Sequence, residues 1–213
     1  MTQLAVSGLL FDLDGTLIDS TASVERNWRR LADGIGMPWP DIEPWIHGTP
    51  VRQVLRRLLP DMPDDEVQHW HEFMVEGEST DTGDVMALPG AVRALDQLPT
   101  HRWAIVTSGG TRLARARIRA AGLPLPRHLV TADDVPLGKP DPAPYLRGAE
   151  VLGFAPARCL AFEDASPGVA SAKAAGVPVI GIGTHGRDLG IPTVKNLAAV
   201  EFSADRTGVI VTF

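Results

Sequence analysis

Two aspartates, Asp12 and Asp14, stand one residue apart at the end of a short apolar run, residues 6–11. Such a run is typical of a buried strand. Two carboxylates at its tip repel each other and lose hydration, so the pair calls for a compensating cation. A divalent metal would provide one, and a reaction on a phosphoryl group would use both carboxylates. An ordinary turn at Asp14 and Gly15 would leave the same pattern, so the pair alone does not decide between these interpretations.

Polar residues follow three later apolar runs as well. They are Thr107, Ser108 and Gly109 after the run 103–106, Lys139 downstream of the run 128–130, and Glu163 and Asp164 after the run 158–162. Each group taken singly could be a helix cap, a solvated lysine or a loop start. Parallel strands, however, present their carboxyl ends at one edge of a sheet, where ligands bind. All of these residues would then meet at that edge.

Together these residue types could handle a phosphate group. Mg²⁺ prefers oxygen ligands and binds one or two carboxylates directly, which Asp12 and Asp164 can supply. Hydroxyl and backbone N–H groups at a helix N-terminus suit phosphoryl oxygens, and the residues of that kind are Thr107, Ser108 and Gly109. The ammonium of Lys139 would offset the remaining negative charge and keep a nucleophilic carboxylate ionised. One carboxylate can attack phosphorus, and another can protonate the leaving oxygen and then deprotonate water.

Short apolar strands alternate with helical patterns along most of the chain. The predicted strands cover 6–11, 103–106, 128–130, 158–162 and 177–182, and the predicted helices cover 112–121, 141–153 and 166–176. Asp141 and Ser166, each followed by proline, are the predicted caps of two of these helices. The alternation predicts an α/β fold with a Rossmann-like, doubly wound parallel sheet. Residues 200–202 and 209–211 predict a terminal hairpin.

Residues 20–86 interrupt this alternation. They show helical patterns over 22–31, 51–59 and 64 to about 75, and no convincing strand. This pattern predicts an inserted α-helical cap domain over 20–86. The core would then consist of residues 1–19 and 87–213.

The composition is that of an ordinary globular protein, with 44% hydrophobic and 22% charged residues and a formal net charge of −6. Neither a nucleic-acid nor a membrane partner is expected, because the charge is negative and no apolar run is long enough to span a bilayer. Arg112, Arg115, Arg117 and Arg119 are predicted to form a solvated helix face. With no basic leader at the N-terminus, we expect a soluble, cytoplasmic protein. The single cysteine, Cys159, excludes an internal disulfide.

Four motifs resemble, in order, those of the haloacid dehalogenase-like hydrolase superfamily. They are Asp12-Leu13-Asp14-Gly15-Thr16, Thr107-Ser108-Gly109, Gly138-Lys139-Pro140 and Glu163-Asp164. The resemblance implies a Rossmann-like core, Mg²⁺, Asp12 as nucleophile and Asp14 as general acid/base. It also implies that Asp12 and Asp164 bind the metal through their side chains and Asp14 through its backbone carbonyl, with Glu163 just behind them. The helical insertion resembles the subfamily whose cap follows the first motif.

Finer features narrow the implied activity. A dehalogenase has no alkoxide to protonate, so Asp14 argues against that reaction. Thr16, and the lack of a histidine near Val24, favour hydrolysis over the mutase reaction of related enzymes. Residues 46–48, 87–90, 104–109 and 163–169 resemble bacterial sugar and hexitol phosphatases and the group of 2-deoxyglucose-6-phosphate and glycerol-phosphate phosphatases.

We therefore expect a Mg²⁺-dependent phosphatase that hydrolyses small sugar or sugar-alcohol phosphates through an aspartyl-phosphate. Gly48, Thr49 and Arg52 are the predicted substrate contacts in the cap. Three alternatives stay open: a phosphosugar mutase, a phosphatase for another ester such as phosphoglycolate, and a domain that only binds a phosphorylated ligand. A domain that only binds a ligand would not need the second aspartate, so the presence of Asp14 argues against this third alternative. The sequence leaves open whether the protein is a monomer or a homodimer.

Overall fold

The computed structural model describes residues 1–46, 50–183 and 190–213, which form an α/β structure around a six-stranded sheet. The strands are β1 (Gln3–Val6), β2 (Gly8–Phe11), β3 (Ile18–Asp19), β4 (Met86–Ala87), β5 (Trp103–Val106), β6 (Leu129–Val130), β7 (Cys159–Glu163), β8 (Val179–Ile182), β9 (Thr193–Val194), β10 (Glu201–Ala204) and β11 (Val209–Thr212). The helices are α1 (Thr21–Ile35), α2 (Trp39–Ile42), α3 (Val51–Leu58), α4 (Asp64–Thr80), α5 (Ala91–Gln97), α6 (Thr111–Ala120), α7 (Ala143–Leu152) and α8 (Ser166–Ala174). In these parts of the chain, no helix is long and apolar enough to cross a membrane.

The central sheet is parallel, with the strand order β6-β5-β2-β7-β8-β9. The predicted α/β class with a doubly wound parallel sheet is confirmed. Strand β2 lies in the middle, where Phe11 is in register with Ile105 of β5 and with Phe162 of β7. The carboxyl ends of β5 and β7 therefore flank the residue that follows Phe11.

The predicted strand 6–11 is in fact two strands in different sheets. β1 pairs with β11 in a three-stranded antiparallel sheet, order β1-β11-β10, while β2 enters the parallel sheet. Ser7 separates them, and its N–H donates to the carbonyl of Arg158 (2.7 Å). A polar residue in the apolar run therefore marks the change of sheet. The predicted hairpin is confirmed as β10 and β11, with β1 as a third strand.

Helices cover both faces of the parallel sheet. Successive residues of its strands point to opposite faces, and because both sets are apolar, both faces must be buried. Leu9 and Phe11 pack in one hydrophobic cluster with α5 and α6, and Leu10 packs in the other with α7 and α8. The rings of Phe11 and Phe162 stack at a centroid distance of 5.2 Å. The ends of β2 and β7 therefore lie side by side, with both faces of the sheet buried around them.

Residues 20–86, called the cap segment below, contain a hydrophobic cluster of their own. Its buried members include Trp28 of α1, Val54 and Leu55 of α3, and Met74 of α4. The chain enters and leaves this segment through β3 and β4, which pair antiparallel. The entry and exit points are therefore tied together beside the sheet edge.

Both predicted helix caps are displaced by one residue, because the N-cap positions are Pro142 for α7 and Ala165 for α8. Asp141 Oδ1 accepts the N–H of Ala143 (2.9 Å) at the start of α7. Ser166 is already the first residue of α8, and the N-cap residue, Ala165, has no side chain that could accept a hydrogen bond. Instead, the carboxylate of Glu163 accepts the N–H of Asp164 (3.2 Å) just ahead of this helix.

Candidate active site

Asp12 lies directly beyond β2, at the carboxyl edge of the sheet. Its N–H donates to the carbonyl of Phe162 (3.0 Å), which continues the pairing with β7 for one residue. Its side chain is buried, with 10% exposure, and its Oδ1 accepts a hydrogen bond from Lys139 Nζ (2.6 Å). The predicted nucleophile therefore has an ammonium group in direct contact.

Lys139 arrives from the loop between β6 and α7 and has an acceptor for each of its three ammonium hydrogens. Besides Asp12, Nζ contacts Glu163 Oε1 (2.5 Å) and the carbonyl oxygen of Val106 (2.9 Å). Burial opposes its charge, but the carboxylates of Asp12 and Glu163 outweigh burial and raise the pKa of Lys139. Lys139 is thus a fixed cation shared by the ends of β2, β5 and β7.

Glu163, the last residue of β7, is almost wholly buried and is held by several donors. Oε1 accepts from Lys139 and from the hydroxyl of Tyr145 (2.7 Å), while Oε2 accepts the N–H of Asp164. A Cβ at residue 168 would lie 1.8 Å from Oε1, so the glycine there makes room for this carboxylate. With both oxygens engaged by the protein, Glu163 is placed to hold Lys139.

Asp12, Glu163 and Asp164 form a group whose carboxylate oxygens lie within 4.8 Å of one another. Burial and the Glu163 charge raise the pKa of Asp164 to about 7. The same two causes raise the pKa of Asp12 above its ordinary value, against the opposing effect of Lys139. A hard cation with oxygen ligands would relieve this excess charge, and the donor set fits Mg²⁺. Asp12 and Asp164 are the two carboxylates best placed to bind it, because Glu163 is already engaged.

Gly15 shapes the loop that carries the second aspartate. It has φ of +83°, a left-handed conformation that glycine adopts without strain. A Cβ at this position would lie 2.1 Å from Asp164 Oδ2. The loop after Asp14 therefore runs directly against Asp164, which brings the first and fourth motifs into contact.

Asp14 faces the cap segment. Its Oδ1 accepts hydrogen bonds from Ser20 Oγ (2.6 Å) and from Arg117 Nη1 (2.9 Å). Arg117 also donates from Nη2 to Glu78 Oε2 (2.7 Å), and its side chain is only 5% exposed. The prediction of a solvated arginine face was wrong for Arg117. It holds for Arg112, Arg115 and Arg119, which are exposed.

The predicted phosphate-binding residues follow β5, which lies next to β2. Thr107 is buried, and its N–H donates to the carbonyl of Val130 (2.9 Å). The N–H of Gly109 donates to Thr107 Oγ1 (3.1 Å). Ser108 is half-buried in the same turn, just before α6. The structure thus places these residues beside Asp12 in the strand order, and their contact with phosphate stays a prediction.

A cavity of about 350 Å³ separates the cap segment from Lys139. It is lined by Trp45, Gln53, Val54, Arg57, Lys139, Pro140 and Pro167. The Arg57 guanidinium lies 3.9 Å from the centroid of the Trp45 ring. Arg52 instead hydrogen-bonds to Gln68 and lines a different cleft, next to α6. Of the predicted substrate contacts, Gly48 and Thr49 lie outside the described residues.

Sequence reasoning missed three side chains that hold this site. Tyr145 was not singled out, because nothing in the sequence indicates that its hydroxyl reaches Glu163. Arg117 stands between the buried residues Ala114 and Ile118 of α6, so helical spacing could have placed it on the inner face. Glu78 stands four residues after the buried Met74 of α4, so the same spacing could have placed it on the inner face, but nothing in the sequence indicates Arg117 as its partner.

Comparisons with known proteins place the chain in a family and among named relatives. Residues 6–176 match the model of the haloacid dehalogenase-like hydrolases. The chain is 43% identical over 177 residues to hexitol phosphatase A of Escherichia coli (strain K12), covering 82% of each protein. It is 35% identical over 197 residues to glycerol-1-phosphate phosphohydrolase 2 of Saccharomyces cerevisiae, covering 85% of this chain and 76% of the relative. A crystal structure of a hydrolase from Pseudomonas syringae matches with a TM-score of 0.79 and 27% identity, covering 90% of this chain and 94% of the other.

Proposed function

The chain belongs to the haloacid dehalogenase-like hydrolase family, and from this premise we propose that it is a Mg²⁺-dependent phosphatase of small sugar or sugar-alcohol phosphates. The observation that carries the proposal is the position of Lys139 Nζ, 2.6 Å from Asp12 Oδ1 and 2.5 Å from Glu163 Oε1. A buried ammonium there lowers the cost of an ionised Asp12, which a nucleophilic carboxylate requires. Asp164 completes an oxygen-only group beside it.

In the proposed reaction Asp12 attacks the phosphorus of the ester. The bond from phosphorus to the leaving oxygen breaks, and Asp14 gives that oxygen its proton. Asp14 then removes a proton from water, the water oxygen attacks phosphorus, and the bond from phosphorus to Asp12 breaks. Asp12 and Asp164 would hold Mg²⁺, which supplies positive charge next to the phosphoryl oxygens. Thr107 and Ser108 would donate hydrogen bonds to the same oxygens.

Residues 20–86 act in this proposal as a cap domain over a core of residues 1–19 and 87–213. Two features support the division: the separate hydrophobic cluster of α1, α3 and α4, and the paired strands β3 and β4 at the crossing point. The cavity between Lys139 and α3 is then the space for the leaving group. Closure of the cap would exclude bulk water from the phosphorylated aspartate.

The substrate class follows from the relatives and from the cavity together. The names of the two relatives above are those of phosphatases for a hexitol and for glycerol 1-phosphate. In this chain, Gln53 and Arg57 bring hydrogen-bonding groups to the cavity, and Trp45 brings an aromatic ring. Such a lining suits a small polyhydroxylated leaving group.

A phosphate-release assay tests the proposal across hexitol, sugar, glycerol and glycolate phosphates. We expect Mg²⁺-dependent release that is fastest with a hexitol, sugar or glycerol phosphate and absent in D12N. Faster turnover of phosphoglycolate would contradict the substrate class. Glucose 1-phosphate separates hydrolysis from transfer, because isomerisation without phosphate release would indicate a mutase.

A further inference from the structure

We propose that Arg117 is a positioning residue that ties the side chain of Asp14 to the cap segment. The inference rests on the proposed phosphatase function, and it assigns Arg117 and Glu78 a role in how Asp14 is placed. Arg117 belongs to α6 of the core, whereas Glu78 belongs to α4 of the cap segment. The guanidinium thus connects the general acid/base to a helix that lies over the core.

The two contacts use different nitrogens of one rigid group. Nη1 donates to Asp14 Oδ1 at 2.9 Å, and Nη2 donates to Glu78 Oε2 at 2.7 Å. The guanidinium is planar, so a shift of either carboxylate changes the direction in which the other is held. In the described structure Nε of Arg117 is buried without a hydrogen-bond partner. The guanidinium therefore directs its two terminal nitrogens at the two carboxylates, while its third nitrogen, Nε, makes no hydrogen bond.

Stability alone does not account for this arrangement. The loss of hydration on burying an ion pair costs about as much free energy as the attraction between the charges returns. Apolar residues of similar size at such positions often give a protein that is equally stable. The neighbours of Arg117 on α6 are apolar, with Ala114 and Ile118 both buried. Burial also raises the pKa of Glu78 to about 7, despite the opposing charge of Arg117. An arginine is needed at this position to reach Asp14 and α4 at once.

The other hydrogen bond to Asp14 comes directly from the cap segment. Ser20, the residue before α1, donates from Oγ to the same Oδ1 at 2.6 Å. Asp14 Oδ1 is thus held by the first residue of the cap segment and, through Arg117, by α4. Movement of the cap segment would therefore move or release the acid/base.

The test compares two leaving groups through kcat/KM, which reports the steps up to transfer of the phosphoryl group to Asp12. An alkoxide needs the proton from Asp14, whereas nitrophenolate leaves well without it. In the double variant R117M/E78Q no unpaired charge stays buried, so the protein is expected to fold. We expect its kcat/KM to fall about 10- to 100-fold with the best alkyl phosphate of the screen, and far less with p-nitrophenyl phosphate. R117K should recover part of the loss.

R112Q is the matched control, because Arg112 also joins α6 to α4 through an exposed pair with Glu76. It should leave the ratio of the two kcat/KM values unchanged. An equal loss with both esters in R117M/E78Q, or the same change of ratio in R112Q, would overturn the positioning role while wild-type hydrolysis still supports the phosphatase. A wild-type protein that hydrolyses neither ester would overturn both proposals.

Discussion

The ammonium of Lys139 lies 2.6 Å from Oδ1 of Asp12, although the two residues are 127 positions apart in the chain. The parallel sheet accounts for this proximity, since β2 lies between β5 and β7 and Lys139 reaches across both neighbours. Every residue assigned to the nucleophilic step therefore depends on the order of these strands.

Replacing Lys139 with methionine should abolish most activity and destabilise the protein. Asp12 and Glu163 would lose their shared cation and stay buried, at a cost of about 3–5 kcal/mol. Urea unfolding and phosphate release measure the two effects. In K139M/E163Q one of the unpaired charges is gone, so part of the stability should return while activity stays low. Activity near wild type in K139M would contradict the role of this ammonium.

Without divalent metal, the free energy of unfolding should fall as pH rises. The folded-state pKa of Asp164 is about 7, raised from 3.8, so the folded state binds more protons than the unfolded state between these values. The Asp164 carboxyl group therefore contributes most to the free energy of unfolding below about pH 4. This contribution is lost as the pH rises to about 7. The pKa values of Asp12 and Glu78 are also raised in the folded state, so these groups act in the same direction.

Adding Mg²⁺ should reverse this trend, because the metal binds the ionised carboxylates and releases their protons. Urea unfolding at several pH values, with EDTA or with Mg²⁺, measures the difference. D164N should weaken both the pH dependence and the stabilisation by Mg²⁺. If Mg²⁺ stabilises D164N as strongly as wild type at pH 8, Asp164 does not bind it.

Gly15→Ala should remove activity and weaken Mg²⁺ binding, because the new Cβ would lie 2.1 Å from Asp164 Oδ2. Gly36→Ala is the control, since Gly36 also has positive φ (+69°) but no atom within 4 Å of the added Cβ. Backbone strain alone costs about 1–2 kcal/mol in either variant. Equal, small effects of the two substitutions on activity would show that the loop does not press on Asp164.

Arg57→Gln should raise KM for the preferred sugar or polyol phosphate about tenfold, which corresponds to the loss of a charged hydrogen bond of about 1.5 kcal/mol. Arg57 lines the cavity next to Lys139, whereas Arg52 contacts Gln68 in the other cleft. Arg52→Gln should therefore change KM less. Steady-state kinetics with both variants decide which arginine meets the substrate.

The sheet and its polar edge could be predicted because they depend on local patterns. Apolar runs alternating with helices predict parallel strands, and motifs at the ends of those runs must then meet. Asp12, Lys139 and Asp164 were assigned in this way, and the structure brings them together at one edge.

What the sequence could not predict depends on contacts between distant elements. Arg117 lies among other arginines, so its charge suggested solvent, while its place beside Ala114 put it inside. Its partners, Asp14 and Glu78, come from a loop and from a cap helix whose packing no local pattern specifies. Likewise, the change of sheet at Ser7 depends on pairing with β11 at the other end of the chain.

The most direct test of the account is the pre-steady-state reaction of D14N with an excess of p-nitrophenyl phosphate in the presence of Mg²⁺. This ester needs no proton to release nitrophenolate, but the second step lacks its general base, which contributes about 10²–10⁴-fold. We predict a burst of one nitrophenolate per site, and acid-quenched mass spectrometry should find one phosphoryl group on the peptide that contains Asp12. Absence of both the burst and the adduct, or an unchanged burst in D12N/D14N, would contradict nucleophilic attack by Asp12.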